Sequence, residues 1–355
     1  MSCPRLSPRL RRAALATLGA AAALLGSEAL LRAAYHSPGQ YRLDPVLGLD
    51  RVPHSAVFVA SEGGARLRFD RYGFNNDDAV WDRPGPRLAV LGDSFVEAAE
   101  VPREDNAVSR LAALLPGTVV LNLGRAASTP MQSVELFDRV AARERIDALL
   151  FGLSDNHIWT LAGAEQTGPD CRMPERPPSP ARRLSAEVVS RSALLVRMQA
   201  RARDWRENPG LPSKAPAHAE PVWSTDTALT EQLAWCLDAL AARRPLAVVL
   251  MPNGELPVTE KRLAHDRDRL GFYRAAAERA GVPVLDAWAA FGADPLGDGR
   301  LVNGFPNGVL GRGHLNALGH TRLSEVLARG VPDLFPALWP VPEESGPQVA
   351  GREAP

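Results

Sequence analysis

Five short apolar runs, at residues 88–91, 118–121, 148–151, 246–251 and 283–285, constrain this chain more than any other feature. Each is bounded by turn-forming residues and lacks polar alternation, which suits strands covered on both faces, as in a parallel sheet. Helical patterns lie between them. Val108, Leu111, Leu114 and Leu115 share one face after Asp105 and Asn106, either of which suits the N-cap. Pro130 follows Ser128 and Thr129 at a helix start. Helical periodicity also covers 226–243, 260–280 and 316–329. This alternation predicts an α/β protein: a three-layer α/β/α domain around a five-stranded, mostly parallel sheet.

The N-terminus reads as an address. Residues 13–26 are uncharged and mostly apolar and follow Arg5, Arg9, Arg11 and Arg12, the layout of a signal peptide or signal anchor over 1–35. Flanking arginines stay cytoplasmic, so the remainder is expected outside, in the periplasm, anchored by residues 13–34. Ser27-Glu28-Ala29 also suits cleavage, which leaves a secreted form open. Cys3 precedes the apolar run and is not placed as a lipoprotein cysteine.

Formal net charge is zero, with 41 basic against 41 acidic residues, and only Lys214 and Lys261 among the basic ones are lysines. The balance gives no broad surface for nucleic acid. Residues 36–86 read as an irregular, β-rich lead-in with β-prone pieces at 56–60 and 67–69. The sheet domain is expected over 87–335. It is interrupted by a Pro/Arg-rich insertion at 163–225 with a helical piece near 183–206, too long for an ordinary connection and placed as a lid or partner surface. Residues 336–355 form a Pro/Glu/Gly-rich tail expected to be disordered. Three cysteines exclude a disulfide-dense scaffold. With Cys3 in the targeting segment, Cys171 and Cys236 are the candidate bridge, which an oxidising compartment allows.

Ligands of open α/β sheets bind beyond the carboxyl ends of the strands. Here those ends read Gly92-Asp93-Ser94-Phe95, Asn122-Leu123-Gly124 and Gly152-Leu153-Ser154-Asp155-Asn156, and Gly313-His314-Leu315-Asn316 precedes the last helix. Ser94 is a candidate nucleophile with His314 as its base. The backbone N–H groups of Ser94 and Gly124 and the side chains of Ser154 and Asn156 are candidate oxyanion donors. His157 is a weaker candidate for the cleft, and His320 is expected to pack within the last helix. Asp93 and Asn122 are expected to tie turns together. No GxSxG, HExxH, GxGxxG or GxxxxGK[ST] occurs.

At these residues the chain resembles the SGNH/GDSL hydrolases. Gly92-Asp93-Ser94 matches the first block and Asn122–Gly124 the second, and His314 and Asn316, followed by Gly319 and His320, match the last. Residues 41–48 and Gly73-Phe74-Asn75 resemble the lead-in of membrane-anchored bacterial members. The resemblance implies a flavodoxin-like α/β/α fold and a serine esterase without metal or organic cofactor. Two positions depart from the family pattern: Ser154 stands for the usual Asn of the third block, and Gly311 for the Asp three residues before the histidine. Asp286, Asp298 or a backbone carbonyl is therefore expected to orient His314.

The resulting expectation is an exported esterase or O-acetyltransferase acting on O-acyl groups, chiefly acetyl, of cell-envelope or exopolysaccharide esters. Its partners would be an acylated carbohydrate or other ester and the inner membrane. The two departures motivate an alternative, a weak or inactive relative that binds glycans or envelope partners.

Overall fold

The computed structural model describes residues 7–34, 40–59, 62–154, 157, 168–195, 198, 227–252, 260–292 and 301–338. Asn156, Asp298, much of the insertion and nearly all of the tail lie outside the described residues.

Helix α1 runs over Pro8–Ala34. The lead-in forms two antiparallel hairpins, β1 (Tyr41–Asp44) with β2 (Gly48–Arg51) and β3 (Ala56–Phe58) with β4 (Arg66–Arg68). The sheet domain follows with β5 (Arg87–Gly92), α2 (Ser94–Glu97), α3 (Ala107–Leu114), β6 (Val119–Gly124), α4 (Pro130–Ala141) and β7 (Ala148–Leu153). Within the insertion lies α5 (Pro180–Ser190), and the chain continues through α6 (Thr227–Ala241), β8 (Leu246–Leu250) and α7 (Glu260–Arg279). The last elements are β9 (Val284–Asp286), α8 (Ala287–Gly292) and α9 (Ala317–Leu334).

The five-stranded sheet has the order β6-β5-β7-β8-β9, and every neighbouring pair is parallel. This is the flavodoxin-like order, whose switch point lies between β5 and β7. Successive side chains of a strand point to opposite faces. Leu91, Leu121, Phe151 and Val248 pack with Phe137 of α4, Leu237 of α6 and Tyr273 of α7. Leu88, Val90, Leu150 and Val249 pack with Leu111 of α3 and Leu323 of α9 on the other side. Both faces are covered, which is why the strands read as unbroken apolar runs. Strand β6 extends past its apolar run to Gly124 because Asn122 and Gly124 stay in register with Val90 and Gly92.

Helix starts follow local chemistry. Asn106 accepts from Ser109 N to cap α3. Thr129 and Gln132 form a reciprocal capping box at α4, with Pro130 in the first turn.

The lead-in is fastened to the sheet by buried polar groups. Asp70 accepts from the backbone N–H groups of Tyr72 and Phe74, from Asn76 Nδ2 and from Trp81 Nε1. The Asn76 amide bonds both the N–H and the C=O of Asn122 at 2.8 and 2.9 Å. The guanidinium of Arg51 pairs with Glu97 of α2, and Arg125 with Asp50 at 2.6 Å.

Cys171 and Cys236 are joined by a disulfide, with Cα atoms 4.9 Å apart and a sequence separation of 65. The bridge ties the start of the insertion to α6. A loop of that length corresponds to roughly 4 kcal/mol in the chain-entropy account. Thiol titration of the denatured, unreduced protein is expected to find one reactive thiol, Cys3, rising to three after reduction. Reduction is also expected to lower Tm.

Candidate active site

Strand β5 ends in a turn that places Ser94 at the first position of α2. Gly92 has φ 157°, and a Cβ there would lie 2.4 Å from Val96 Cγ2. Asp93 is fully buried and caps α2 by accepting from Phe95 N. No described group accepts from the Ser94 N–H, which lies at the positive end of this short helix.

His314 is brought to Ser94 by the loop before α9. Gly304 N donates to His314 O, Asn303 Nδ2 donates to Gly313 O, and Asn316 caps α9 by accepting from Leu318 N and Gly319 N. His314 Nε2 stands 2.9 Å from Ser94 Oγ. The ring also contacts Phe95, with centroids 5.1 Å apart.

The acceptor behind His314 is Glu62, from the turn joining β3 to β4. Its Oε2 lies 2.8 Å from His314 Nδ1, and its Oε1 accepts from the His314 backbone N–H at 2.9 Å. Gly313, at φ 81°, leaves room for this carboxylate, since a Cβ there would stand 2.4 Å from Glu62 Oε1. The expectation of Asp286 is corrected. Asp286 pairs with Arg274 and accepts from Ala289 N at the start of α8. Asp298 lies outside the described residues. A carboxylate therefore orients the imidazole, and it comes from the lead-in.

A second carboxylate, Glu100, approaches the same nitrogen at 3.6 Å, and its Oε2 is buried without a hydrogen-bond partner. Burial pushes the Glu100 carboxyl up to about 7. Burial also pulls the His314 imidazole down, but Glu62 and Glu100 outweigh it and raise the ring to about 9. The hydrogen bonds and charge of His314 hold Glu62 below the usual carboxylate range, against its own desolvation. Donor atoms of Glu62, Glu100 and His314 lie within 4.8 Å of one another, close enough to share a cation. Both ring nitrogens are already engaged, one by Glu62 and one by Ser94.

Two candidate oxyanion donors are corrected. Gly124 N donates to Asn122 Oδ1 at 2.9 Å, so it is not free for a ligand. Gly124 is instead required by close packing, because a Cβ would lie 2.3 Å from Glu97 N. The Ser154 hydroxyl is buried and donates to Asp93 Oδ2 at 2.5 Å, behind the turn that carries Ser94. Asn156 lies outside the described residues. His157 is fully buried, with Nδ1 accepting from Ser154 N at 3.2 Å, and does not line a cleft. Burial lowers its basicity. His320 packs in α9, where its Nδ1 accepts from Ala107 N.

No sequence pattern marks Ala127. It sits exposed on the loop after β6 at φ 58°, an uncommon conformation for a residue with a Cβ. Its neighbours are tied to the turn holding Ser94: Ala126 N donates to Glu97 Oε2, and Ser128 Oγ donates to Gly92 O. The Ala127 N–H has no partner among the described residues.

The sequence matches no protein-family model and no curated protein. Among solved structures, the chain is similar to a member of the lipolytic protein G-D-S-L family from Veillonella parvula. Identity is 13% over 69% of this chain and 97% of that one, with a TM-score of 0.41. It is also similar to an α/β hydrolase enzyme from the metagenome of Lake Arreo, Spain, at 16% identity, 73% and 99% coverage and a TM-score of 0.40. A third similarity is to an extracellular lipase from Streptomyces rimosus, at 14% identity, 70% and 99% coverage and a TM-score of 0.38. Gly92-Asp93-Ser94 and Asn122–Gly124 stand at the ends of β5 and β6, and His314-Leu315-Asn316 stands in the loop before α9.

Because Ser154 supports Asp93 rather than a ligand, restoring the family residue with Ser154→Asn is expected to harm the protein. The larger amide must fit a filled site and the hydrogen bond to Asp93 is disturbed, so a loss of about 1–3 kcal/mol is expected. Denaturant unfolding checks this. A gain in esterase turnover without loss of stability would return Ser154 to the oxyanion site.

Proposed function

We propose that the protein is an SGNH/GDSL-type serine esterase, and the observation that carries this reading is the continuous chain Ser94 Oγ–His314 Nε2 and His314 Nδ1–Glu62 Oε2 at 2.9 and 2.8 Å. Ser94 attacks the acyl carbon while neutral His314 takes its proton. Glu62 holds the ring in the tautomer that leaves Nε2 free to accept, and stabilises the imidazolium that forms. The Ser94 N–H, joined by the Ala127 N–H, receives the oxyanion. His314 then returns the proton to the leaving alcohol, which gives an acyl-Ser94 intermediate. Attack by water releases the acid, and attack by a sugar hydroxyl transfers the acyl group.

The address favours substrates outside the cytoplasm. Helix α1 presents 26 residues, Pro8–Ala33, of sufficient length and hydropathy to span a bilayer, and none of them is buried. With the arginines of its first turns on the cytoplasmic side, the site faces the periplasm. There, O-acetylated envelope or exported polysaccharides supply esters. Glu62 supplies the carboxylate missing at Gly311, which removes one of the two departures behind the binding-only alternative and leaves the one at Ser154.

The test is kinetic. Ser94→Ala and His314→Ala are each expected to lower p-nitrophenyl acetate turnover by about 10³-fold or more, with the double variant little worse, since such groups act as a unit. Only neutral His314 accepts the proton, so kcat/KM rises with pH and levels off above the raised imidazole pKa of about 9. Wild-type turnover in folded Ser94→Ala contradicts the mechanism.

A further inference from the structure

Helix α1 is attached to the insertion, and the attachment sits near the membrane end of the helix. Glu28 accepts from Ser192 Oγ at 2.8 Å, from Ala193 N at 3.0 Å and from Leu194 N at 2.9 Å. Arg32, one turn later, bonds Glu28 and donates to the Arg191 carbonyl at 2.6 Å. From Ala13 to Leu31 the helix rises about 27 Å, close to the ~30 Å hydrocarbon core of a bilayer. With Ala13–Leu31 spanning that core, Glu28 lies about 4–5 Å inside its outer boundary and about 9 Å below the helix end at Ala34. The turn at 192–194 is held at the same depth.

The residues around this turn suit that depth. Leu184 and Val188, four apart on α5, are 66% and 51% exposed, and Leu195 and Met198 are 36% and 59% exposed. Beside them stand the exposed Arg183 and Arg191. A cavity of about 320 Å³ opens where α1 leaves the domain, lined by Arg32, Ala33, Phe58, Arg66 and Arg68. Exposed aliphatic side chains flanked by arginines are what an interfacial segment presents to acyl chains and anionic headgroups.

We propose that α5 and the turn after it form a second membrane contact, lying in the outer interface of the bilayer that α1 crosses. Leu195 and Met198 enter the acyl boundary, and the arginines meet lipid phosphates. This rests on α1 acting as an anchor. Helix α5 also packs on β1, whose hairpin partner β2 carries Asp50 and Arg51. The contact thus sets the height of the Ser94 mouth above the membrane.

The test uses the full chain with Cys3→Ser, in proteoliposomes of phosphatidylethanolamine and phosphatidylglycerol. Nitroxide labels are placed singly through Leu18→Cys in α1, Val188→Cys, Met198→Cys and, as an aqueous reference, Leu114→Cys on α3. Accessibility to oxygen is compared with accessibility to a polar nickel reagent. Oxygen is expected to dominate at Leu18, Val188 and Met198, and the nickel reagent at Leu114. A lipid-buried Leu18 label with aqueous Val188 and Met198 labels overturns the second contact alone. Shielding of Val188 and Met198 from both reagents, as under a protein partner or second copy, also overturns it. An aqueous Leu18 label removes the anchor and the contact together.

Discussion

Glu62 reaches both the ring and the backbone nitrogen of His314, 252 residues away in sequence, from a hairpin that precedes the sheet. A histidine held in this way has its tautomer and orientation set by that carboxylate, while Glu62 and Glu100 together raise its basicity against burial. The Ser94–His314 contact therefore depends on how firmly the lead-in is docked. Gly63 sits against the Glu100 backbone, where a Cβ would come within 1.8 Å of the carbonyl oxygen, and its N–H donates to Asn307. The hairpin tip is thus fixed between the loop that carries Glu100 and the loop that carries His314.

Buried charge carries that docking further. Arg51 and Glu97 are almost completely buried and pair with each other, and the Arg51 guanidinium lies 3.9 Å over the Phe69 ring. Arg125 and Asp50 form a second buried pair on the same hairpin. Such pairs add little net stability against an apolar alternative, yet removing one partner costs about 3–5 kcal/mol. Their value here is positional: Glu97 belongs to the helix that Ser94 begins, and Arg125 belongs to the loop of Ala127. These pairs join the lead-in to the turns that carry Ser94 and Ala127.

The five strands and the Ser94–His314 pair were legible because each rests on a local pattern: an apolar run ending in a glycine turn, and a histidine followed by an Asn cap. Glu62 was not legible. It lies in a turn with no periodicity, and its role is defined only by tertiary docking; the positive-φ glycines Gly63 and Gly64 and the missing acid at Gly311 were the available hints. Gly124 and Ser154 were misassigned for a related reason. Their polar groups stand at strand ends as a ligand site requires, but they are taken by Asn122 and Asp93, and hydrogen-bond partners are not written in a linear sequence. The anchor read over residues 13–34 lies within helix Pro8–Ala34, where Glu28 and Arg32 pair with each other.

In the proposed mechanism Ser94 is an activated nucleophile because Glu62, across His314, prepares it. Mass spectrometry of the protein after exposure to a fluorophosphonate measures this directly. A single adduct on the Ser94 peptide is expected in the wild-type protein, forming about 10²–10⁴-fold more slowly in Glu62→Gln with the fold intact. Absence of the adduct from folded wild-type protein, or an unchanged labelling rate in Glu62→Gln, would contradict the account.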